Sequence, residues 1–403
     1  MSNWKECTIG NVCETQTGPF GSLLHNEDYV ENGTPIVTVE HLGSKSFTTQ
    51  NLPCVSDEDK KRLSKYTLKE GDTVFSRVGS VDRCSYVSAS YSGWLFSGRC
   101  LRVRPKDNTE LNSQFLYYHF SNTKIKTFIR NIAVGATMPS INTKLLNEVP
   151  ISIPSLAEQQ KIAAILSSLD EKIETNRKIN ARLEELAQAL FKSWFIDFEP
   201  FGGKMPEDWK NVTLSDIGDI IGGATPSKEH SEYYAKVGNG IAWLTPKDLS
   251  ETNAKFTARG SLDITNLGYQ KCSTKLIPCG SILFSSRAPI GYVSIALNEI
   301  CTNQGFKSFI PKQVGTAFSY YLLKTLTPEI ENKSTGSTFK EASGSLMKSL
   351  QVFLPDKETL SRFEEICTPI FDKQRDCEIE STRLAELRDS LLPKLMSGEL
   401  IPE

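Results

Sequence analysis

Polar and charged side chains that follow predicted strands are the best candidates for chemistry in this sequence. Ser76 and Arg77 follow one strand in the first half, and Ser285 and Arg287 follow the matching strand in the second half. Further candidates of the same kind stand near other strand ends: Thr38, Glu40, His41, Arg99, Thr245, Lys247, Asp248, Asn303 and Gln304. Arginine pairs with guanine, amides pair with adenine and acids pair with cytosine, so this set suits the reading of base edges in duplex DNA.

A structural role is the alternative for each of these residues taken alone. Arg77 and Arg287 could simply brace a turn beside Gly79 and Pro289. Taken together the candidates favour DNA contact, because the framework recurs in both halves while the loop side chains differ. Two scaffolds of one design with different loops could read two different short sequences.

Catalytic and metal-binding signatures are not found in the sequence. The ten cysteines form no CxxC pair, and His25, His41, His119 and His230 lie far from any cysteine at ligand spacing, so we expect no metal site. There is no GxxxxGK[ST] loop, no GxGxxG motif in a strand–helix context, no Asn-Pro-Pro-aromatic tetrad and no defensible Ser/His/Asp set. A duplicated chain without a repeated catalytic signature favours a recognition protein or a scaffold over an enzyme.

Composition limits the class of protein further. The 403 residues predict two or three domains, and 39% hydrophobic residues are enough for packed cores. The 46 Lys and Arg residues nearly balance the 48 Asp and Glu residues, which argues against coating nucleic acid by bulk charge but allows local basic faces. The start MSNWKECTIG does not resemble a signal peptide, so we expect a cytoplasmic protein with reduced thiols.

The sequence contains one long internal repeat. Residues 135–192 align with 336–393 at one constant offset and without a gap. Identical pairs under that offset include Gly135/Gly336, Thr137/Thr338, Leu145/Leu346, Pro154/Pro355, Lys172/Lys373, Leu183/Leu384 and Leu190/Leu391. A single long repeat predicts two homologous halves packed with approximate two-fold symmetry, rather than a solenoid.

Each half combines a strand-rich globular part with a long helix. The globular parts contain short Val-, Phe- and Thr-rich segments bounded by Gly or Pro, and a helical pattern over 112–132 that recurs over 317–332. Apolar residues then follow heptad spacing: Ile162, Ile165, Leu169, Ile179, Leu183, Leu186 and Leu190, and Phe363, Ile366, Ile370, Leu384, Leu387 and Leu391. This spacing predicts an α+β fold with two homologous globular domains separated by two long antiparallel, coiled-coil-like helices. Asn176 and Cys377 occupy matching positions of the helix interface.

Two motifs give these helices a family resemblance. The stretch IPSLAEQQKIAAILSSLDEKIETNRKIN at 153–180, followed by LFKSWFIDFEPF, and the terminal LRDSLLPKLMSGEL at 387–400 resemble the specificity subunits of type I restriction–modification systems. The resemblance covers essentially the whole chain. The second helix departs from it, because DKETLSRFEEI at 356–366 stands where the first helix has the AEQQKIA start. That departure puts equal strength of two partner-docking sites in doubt.

The resemblance implies a domain division and a function. It implies target-recognition domains at 1–154 and 209–355, a first spacer helix at 155–197, a linker at 198–208, and a second spacer helix with the tail at 356–403. Each domain would bind one half of a bipartite, asymmetric DNA sequence, while the helices set the spacing and dock two modification (methyltransferase) subunits. Restriction subunits would join, and S-adenosylmethionine, ATP and Mg would belong to the partners, so this chain would be non-catalytic and without a cofactor.

Two other classes stay open at this point. One is an enzyme that modifies DNA through an unrecognised active site, which an assay of the chain without partners would reveal. The other is a pseudo-symmetric scaffold whose globular halves bind protein or glycan, and such a scaffold would enrich no motif from random DNA duplexes.

Overall fold

The computed structural model describes residues 4–20, 23–252, 254–287, 289–335 and 340–402. The chain divides into two compact units. Unit 1 is residues 1–174 with 382–403, and unit 2 is residues 175–381. Each unit therefore contains one globular part together with segments of both long helices.

The helices range from single turns to two of 40 residues each, α6 and α12. In chain order they are α1 Ile9–Val12, α2 Asp57–Arg62, α3 Ser113–Ser121, α4 Thr123–Ile132, α5 Thr143–Asn147, α6 Leu156–Phe195, α7 Leu214–Ile217, α8 Pro246–Thr252, α9 Asn266–Gln270, α10 Thr316–Lys333, α11 Gly344–Ser349 and α12 Lys357–Met396.

The strands are short. In unit 1 they are β1 Lys5–Thr8, β2 Cys13–Thr17, β3 Tyr29–Val30, β4 Thr34–Val37, β5 Cys54–Val55, β6 Thr73–Ser76, β7 Cys84–Tyr86, β8 Leu95–Phe96, β9 Cys100–Pro105 and β10 Pro150–Ile153. In unit 2 they are β11 Lys210–Thr213, β12 Gly218–Gly222, β13 Tyr234–Ala235, β14 Ile241–Leu244, β15 Phe256–Thr257, β16 Leu262–Ile264, β17 Ile282–Ser286, β18 Ile290–Ala296, β19 Cys301–Thr302, β20 Lys307–Pro311 and β21 Gln351–Leu354.

The two units repeat one sheet topology. Unit 1 has a β1-β10 ribbon, a four-stranded sheet in the order β2-β9-β6-β7 and a four-stranded sheet in the order β3-β5-β4-β8. Unit 2 has a β11-β21 ribbon, a five-stranded sheet in the order β12-β20-β17-β18-β15 and a four-stranded sheet in the order β13-β16-β14-β19. The pairs β4–β8 and β14–β19 are parallel in both units. The predicted duplication of a mixed, strand-rich unit is therefore confirmed.

The main core of each unit lies between its helices and one sheet, which is β2-β9-β6-β7 in unit 1 and β12-β20-β17-β18-β15 in unit 2. In unit 1, Phe75, Phe115 and Phe120 pack with Ile162 and Leu166 of α6. In unit 2, Phe284, Phe309 and Phe318 pack with Phe191 of α6 and Phe363 of α12. The long helices thus form one wall of each core, because their apolar residues complete the buried surface of the sheet.

The long helices run antiparallel where they meet. In unit 2, the Asn180 amide nitrogen donates to the Gln374 carbonyl oxygen at 3.1 Å, and the Asn176 amide nitrogen lies 2.8 Å from Glu380. In unit 1, Arg388 donates to Asp170 at 2.6 Å. Within unit 2, higher residue numbers on α6 meet lower ones on α12, as predicted. Asn176 and Cys377 are both buried in this contact, as their matching positions predicted.

The predicted heptad pattern was wrong at four positions. Ile165, Leu186, Ile366 and Leu387 were assigned to the helix interface, but they are 36%, 50%, 41% and 46% exposed. The helices also pack against the globular domains, so the buried stripe follows the 3.6-residue period of a straight helix instead of a strict heptad. Small and polar residues therefore enter the stripe, as at Gln159, Ala163 and Ala187.

The predicted helix over 112–132 is two helices. Asn122 separates α3 from α4, and its side-chain oxygen accepts a hydrogen bond from the Lys124 backbone nitrogen at 2.9 Å. Asparagine is a preferred N-cap residue, so the chain restarts a helix at this point. The equivalent α10 in unit 2 continues without a break and has Pro328 inside it.

The segment at 198–208, predicted as a linker, packs against the core of unit 2. Phe198 and Phe201 lie with their ring centroids 5.8 and 5.3 Å from the Trp209 ring. Phe198 and Gly202 have left-handed backbone conformations, which turn the chain sharply after α6.

The cysteines of the chain are free. Burial raises the pKa of the Cys13, Cys84 and Cys100 thiols to about 12, so these thiols are poor nucleophiles. Within the described ranges, no helix is long and apolar enough to cross a bilayer.

Candidate DNA interface

The turn after β4 holds three of the predicted contact residues. The Thr38 backbone nitrogen donates to Nδ1 of His41 at 3.0 Å, and Nε2 of His41 lies 3.1 Å from the Gln50 carbonyl oxygen. His41 is 1% exposed, so its ring braces the turn from inside. Glu40 is exposed at the tip of the turn.

The turn after β14 repeats this arrangement with different side chains. The Thr245 backbone nitrogen and hydroxyl both donate to Oδ2 of Asp248 at 2.7 Å, and the Ser261 backbone nitrogen donates to Oδ1 at 2.9 Å. Burial opposes ionisation of Asp248, but these hydrogen bonds hold the pKa of its carboxyl below its ordinary value. Lys247 projects into solvent, with Glu251 at 3.5 Å. Thr38 and Thr245 therefore occupy equivalent positions. His41 and Asp248 each accept the hydrogen bond that closes their turn.

Ser76 and Arg77 lie where β6 ends. Ser76 is buried and its hydroxyl donates to the Val78 carbonyl oxygen at 2.8 Å. The Arg77 guanidinium donates to the Gly98 carbonyl oxygen at 3.2 Å and stands 5.9 Å from the centroid of the Phe20 ring. Arg77 therefore links the chain segment that precedes β3 to the turn between β8 and β9.

Ser285 and Arg287 lie at the end of β17. Ser285 is buried, and its hydroxyl donates to the Pro289 carbonyl oxygen at 2.9 Å. The Arg287 guanidinium is partly exposed and lies 3.6 Å from Glu341, which also pairs with Lys307 at 3.5 Å. Arg287 is thus held by a weak, partly solvated ion pair that a ligand can replace.

Backbone pairing shows that the two arginines are offset by one residue. The Arg77 nitrogen donates to the Arg99 carbonyl oxygen at 2.8 Å, whereas the equivalent bond in unit 2 runs from Ser286 to Gly305 at 2.7 Å. Arg77 therefore matches Ser286, and Arg287 matches Val78. Consecutive residues of an extended segment point to opposite faces. The Arg77 and Arg287 side chains therefore start from opposite faces of the equivalent segments.

Arg99, Asn303 and Gln304 lie on matching turns. Arg99 is exposed. The Asn303 side-chain oxygen accepts a hydrogen bond from the Gly305 nitrogen at 2.8 Å, and exposed Gln304 accepts one from the Thr225 hydroxyl. The turn contains Ser97-Gly98-Arg99 in unit 1 and Asn303-Gln304-Gly305 in unit 2, so the same backbone carries different donors and acceptors.

The structure brings these segments together in each unit. In unit 1, the Ser97 nitrogen donates to the Val37 carbonyl oxygen at 2.9 Å, and the Gly79 nitrogen donates to the Pro139 carbonyl oxygen at 2.8 Å. In unit 2, the Asn303 nitrogen donates to the Leu244 carbonyl oxygen at 2.9 Å. We call these segments the strand-end loops: 18–20, 38–41, 77–80, 97–99 and 134–140 in unit 1, and 223–226, 245–248, 286–287, 303–305, 335 and 340–341 in unit 2.

Two glycines that the sequence reasoning missed shape these loops. A Cβ added to Gly18 would lie 2.1 Å from the Ser97 carbonyl oxygen, and one added to Gly223 would lie 2.2 Å from the carbonyl oxygens of Thr302 and Asn303. Glycine is required at both positions because the backbones touch. A comparison of glycine positions between the halves would have found this pair.

A short hairpin that the sequence reasoning missed completes the loops of unit 1. Val134 and Ser140 exchange backbone hydrogen bonds of 2.9 and 2.8 Å, and Val134 and Met138 are 63% and 66% exposed. The matching pair in unit 2 is Thr335 and Glu341. The repeated pairs Gly135/Gly336 and Thr137/Thr338 were the available signal; Gly336 and Thr338 lie outside the described residues.

The strand-end loops carry both signs of charge: Arg77 and Arg99 are the basic residues of unit 1, whereas Glu40 in unit 1 and Glu341 beside Arg287 in unit 2 are acidic. In unit 1, Arg77 and Arg99 belong to segments 77–80 and 97–99, and neither of those segments nor 134–140 contains an acidic residue. Guanidinium groups that are at least partly exposed attract phosphate. Among the residues that the structure describes, no group of three or more His, Cys, Asp or Glu side chains could hold a metal ion.

Comparisons with known proteins agree on one family. The sequence profile of the type I restriction modification DNA specificity domain matches residues 1–185 and again residues 206–388. Because the two matches cover most of the chain, it belongs to the family of type I restriction–modification specificity subunits. It is the non-catalytic DNA-specificity subunit of such a system, with two target-recognition domains.

Individual relatives cover the whole chain or parts of it. The specificity subunit of the type I restriction enzyme HindI from Haemophilus influenzae is 27% identical over 473 residues, which covers 99% of this chain and 100% of the relative. The MjaIX specificity subunit from Methanocaldococcus jannaschii is 41% identical over 197 residues, covering 46% of this chain and 44% of the relative. The crystal structure of a type I restriction–modification S subunit from M. genitalium has the same fold, with a TM-score of 0.66 at 18% identity and coverage of 100% and 97%.

Proposed function

We propose that each recognition domain reads one half of a bipartite, asymmetric DNA sequence through its strand-end loops. The observation that carries this proposal is a repeated backbone framework whose side chains differ between the units. The equivalent positions of unit 1 and unit 2 hold different residues: Arg77 and Ser286, Val78 and Arg287, Ser97 and Asn303, Gly98 and Gln304, and Arg99 and Gly305. Different donors and acceptors on one framework would select different bases.

Not every residue predicted to contact DNA is equally placed to do so. Arg77, Arg99, Lys247, Arg287 and Gln304 carry side chains that are at least partly exposed. His41, Ser76 and Ser285 are buried, and Asp248 is bonded within its own turn. We assign base or phosphate contact to the first group and support of the loops to the second.

The helices are proposed to set the interval between half-sites and to dock two methyltransferase subunits. Support comes from the exposed apolar residues on them. Unit 1 exposes Ile165 and Leu387, and unit 2 exposes Ile366 and Leu186, which occupy equivalent repeat positions. An isoleucine and a leucine therefore recur at matching places in the two units, as expected for two copies of one partner.

The remaining components of the complex are assigned to partners. We propose that restriction subunits join the assembly, and that S-adenosylmethionine, ATP and Mg²⁺ are bound by partner subunits rather than by this chain. The complex would act on DNA in the cytoplasm.

Single arginine substitutions test the assignment of half-sites. The chain is expressed with its methyltransferase partner, and the methylated motif is mapped by sequencing for the wild type, Arg77→Ala and Arg287→Ala. Each variant should relax one half of the motif and leave the other intact, since one bidentate base contact supplies about 1–3 kcal/mol of discrimination.

The same measurement of the methylated motif supplies the control and the outcomes that would contradict the proposal. Lys61 is an exposed cation on α2, so Lys61→Ala should leave the motif unchanged. Equal relaxation of both halves, or an unchanged motif in both variants, would show that Arg77 and Arg287 only support their loops. Methylation by the chain without a partner would contradict the non-catalytic role.

A further inference from the structure

A buried lysine joins the recognition domain of unit 2 to both long helices. Lys255 lies between α8 and β15 and is 7% exposed. Its ammonium group donates to Glu184 of α6 and to the side-chain oxygen of Gln374 of α12, both at 2.7 Å, and to the Tyr321 hydroxyl at 3.2 Å. It also stands 3.5 Å from the centroid of the Phe371 ring on α12. One side chain therefore ties a loop of the domain to two helices.

The backbone at this position makes a second link. The Lys255 and Phe256 nitrogens each donate to the Glu378 carboxylate of α12 at 3.1 Å. The Lys255 carbonyl oxygen accepts a hydrogen bond from the Ile295 nitrogen at 2.8 Å, which joins the loop to β18. The loop is therefore attached to α12 and also to the sheet of unit 2. The strands of that sheet lead into the strand-end loops.

Unit 1 contains a lysine at the equivalent position. The Lys45 carbonyl oxygen accepts a hydrogen bond from the Tyr86 nitrogen at 2.9 Å, as Lys255 does from Ile295. Its ammonium group lies 5.4 Å from the centroid of the Tyr118 ring, and the Tyr118 hydroxyl donates to Asp170 of α6 at 2.6 Å. Arg388 of α12 bonds the other oxygen of Asp170 at 2.6 Å.

The contacts around Lys45 and Lys255 are made by similar kinds of residue, but these residues do not occupy equivalent positions of the repeat. The helical carboxylate comes from α6 in both units, as Asp170 and as Glu184. Under the internal repeat, Asp170 matches Phe371 and Glu184 matches Ala385, so the repeat itself does not account for both carboxylates. Each unit thus has its own polar contact between loop, tyrosine and helix.

Stability alone is a weak reason for such a contact. Burying an ion pair costs desolvation, and apolar side chains of similar volume often serve stability as well. A buried ion pair instead favours one relative orientation of the elements that carry it, because its hydrogen bonds are satisfied in one geometry. A cavity of about 370 Å³ borders Lys255, lined by Asn180, Glu184, Tyr292 and Lys324 among others, so on this side of the domain polar contacts join the loop to the helices beyond the edge of the apolar core.

The angle of a recognition domain matters for the distance between half-sites. One base pair added to the spacer moves a half-site by about 3.4 Å and rotates it by about 35° around the DNA axis. A domain held rigidly on the helices cannot follow that displacement, whereas a domain that pivots can follow part of it. Selectivity for spacer length therefore depends on how firmly each domain is held.

We propose that Lys255 is a positioning residue that restricts the chain to one spacer length by fixing the angle of its recognition domain on α6 and α12. In unit 1 the corresponding link to both helices is made by Tyr118, Asp170 and Arg388, because the buried Lys45 ammonium group makes no hydrogen bond within the described residues. The inference rests on the proposed function, since it requires that the two units read half-sites of one DNA.

Duplexes with altered spacers test this role. The methyltransferase complex is reconstituted with the wild type or Lys255→Met, and methylation kcat/KM is measured on the mapped motif and on duplexes with one base pair more or less in the spacer. A displaced half-site should cost the wild type on the order of 100-fold, and we expect the penalty to fall to about tenfold in Lys255→Met. Both half-site sequences should still be required by the variant.

Two further variants keep the outcome decisive. Tyr321→Phe removes one hydroxyl from the contact and keeps the ring, so it should shift the ratio in the same direction even if Lys255→Met does not fold. Lys312→Met removes an exposed ion pair with Asp219 in the same unit and should match the wild type.

The contrary results separate the two proposals. A wild-type spacer ratio in both Lys255→Met and Tyr321→Phe would overturn the positioning role, and so would an equal loss of rate on all spacers. A wild-type complex that methylates without any sequence preference would contradict the proposed function instead.

Discussion

Glu184 is the residue through which the pH dependence of unit 2 can be tested most sharply. Its carboxylate lies 2.7 Å from Lys255 and 2.9 Å from Lys324, and it accepts a hydrogen bond from the Tyr321 hydroxyl at 3.0 Å. Burial by itself would raise the pKa of Glu184, but the two ammonium groups outweigh it and hold the pKa at about 2, against an ordinary value of 4.5.

The sign and size of the effect follow from this difference in pKa. A carboxyl whose pKa is depressed on folding stabilises the folded state above its unfolded pKa, and that contribution disappears as the pH falls toward the folded pKa. Each pKa unit corresponds to about 1.4 kcal/mol, so the contribution is about 3 kcal/mol, somewhat reduced because the side chain is 25% exposed. It should be complete above pH 5 and lost between about pH 4.5 and pH 2.

Urea unfolding of the full chain measures this contribution. Glu184→Gln should lower the free energy of unfolding by about 3 kcal/mol at pH 7, and the gap to the wild type should narrow steadily between pH 5 and pH 3. Glu185→Gln is the matched control, because Glu185 is exposed and pairs with Arg182 across one helical turn. A gap between the wild type and Glu184→Gln that stays constant with pH would refute the reasoning.

Two further predictions concern the loops and the helices. Gly18→Ala and Gly223→Ala should each lower the free energy of unfolding by about 1–3 kcal/mol, because the new methyl group overlaps a carbonyl oxygen; melting curves equal to the wild type would show that the loops can move apart. Leu387→Asp and Leu186→Asp should weaken binding of the methyltransferase subunit at one site each by more than about 1 kcal/mol, with less than about 0.5 kcal/mol change in stability. Titration calorimetry checks this, and unchanged affinity and stoichiometry would place the docking surface elsewhere.

The helical part of the fold was largely predictable. The heptad spacing of apolar residues from Ile162 to Leu190 predicted a long helix, which the structure shows as Leu156–Phe195. The antiparallel contact followed from the repeat, because an apolar stripe needs a partner of similar pattern. Heptad spacing does not reveal that the globular parts also pack on the helices, which leaves Ile165 and Leu387 exposed and buries Gln159.

The candidate interface was predictable by position but not by role. Thr38 and Thr245 do begin matching turns, yet the sequence could not show that His41 and Asp248 point inward and close them. Side-chain direction depends on backbone angles at the turn, which residue types do not fix. The one-residue offset between Arg77 and Arg287 likewise became visible only from backbone pairing.

By itself the sequence determined the duplication, the two long helices and the family, since these depend on periodicity and on motifs that are local along the chain. Tertiary structure decided which members of each pattern are buried, which arginine matches which position, and that Lys255 meets Glu184 and Gln374. Those contacts join residues far apart in the chain, and the burial of a helix residue depends on which other element packs against it. Residue spacing along the helix contains neither piece of information.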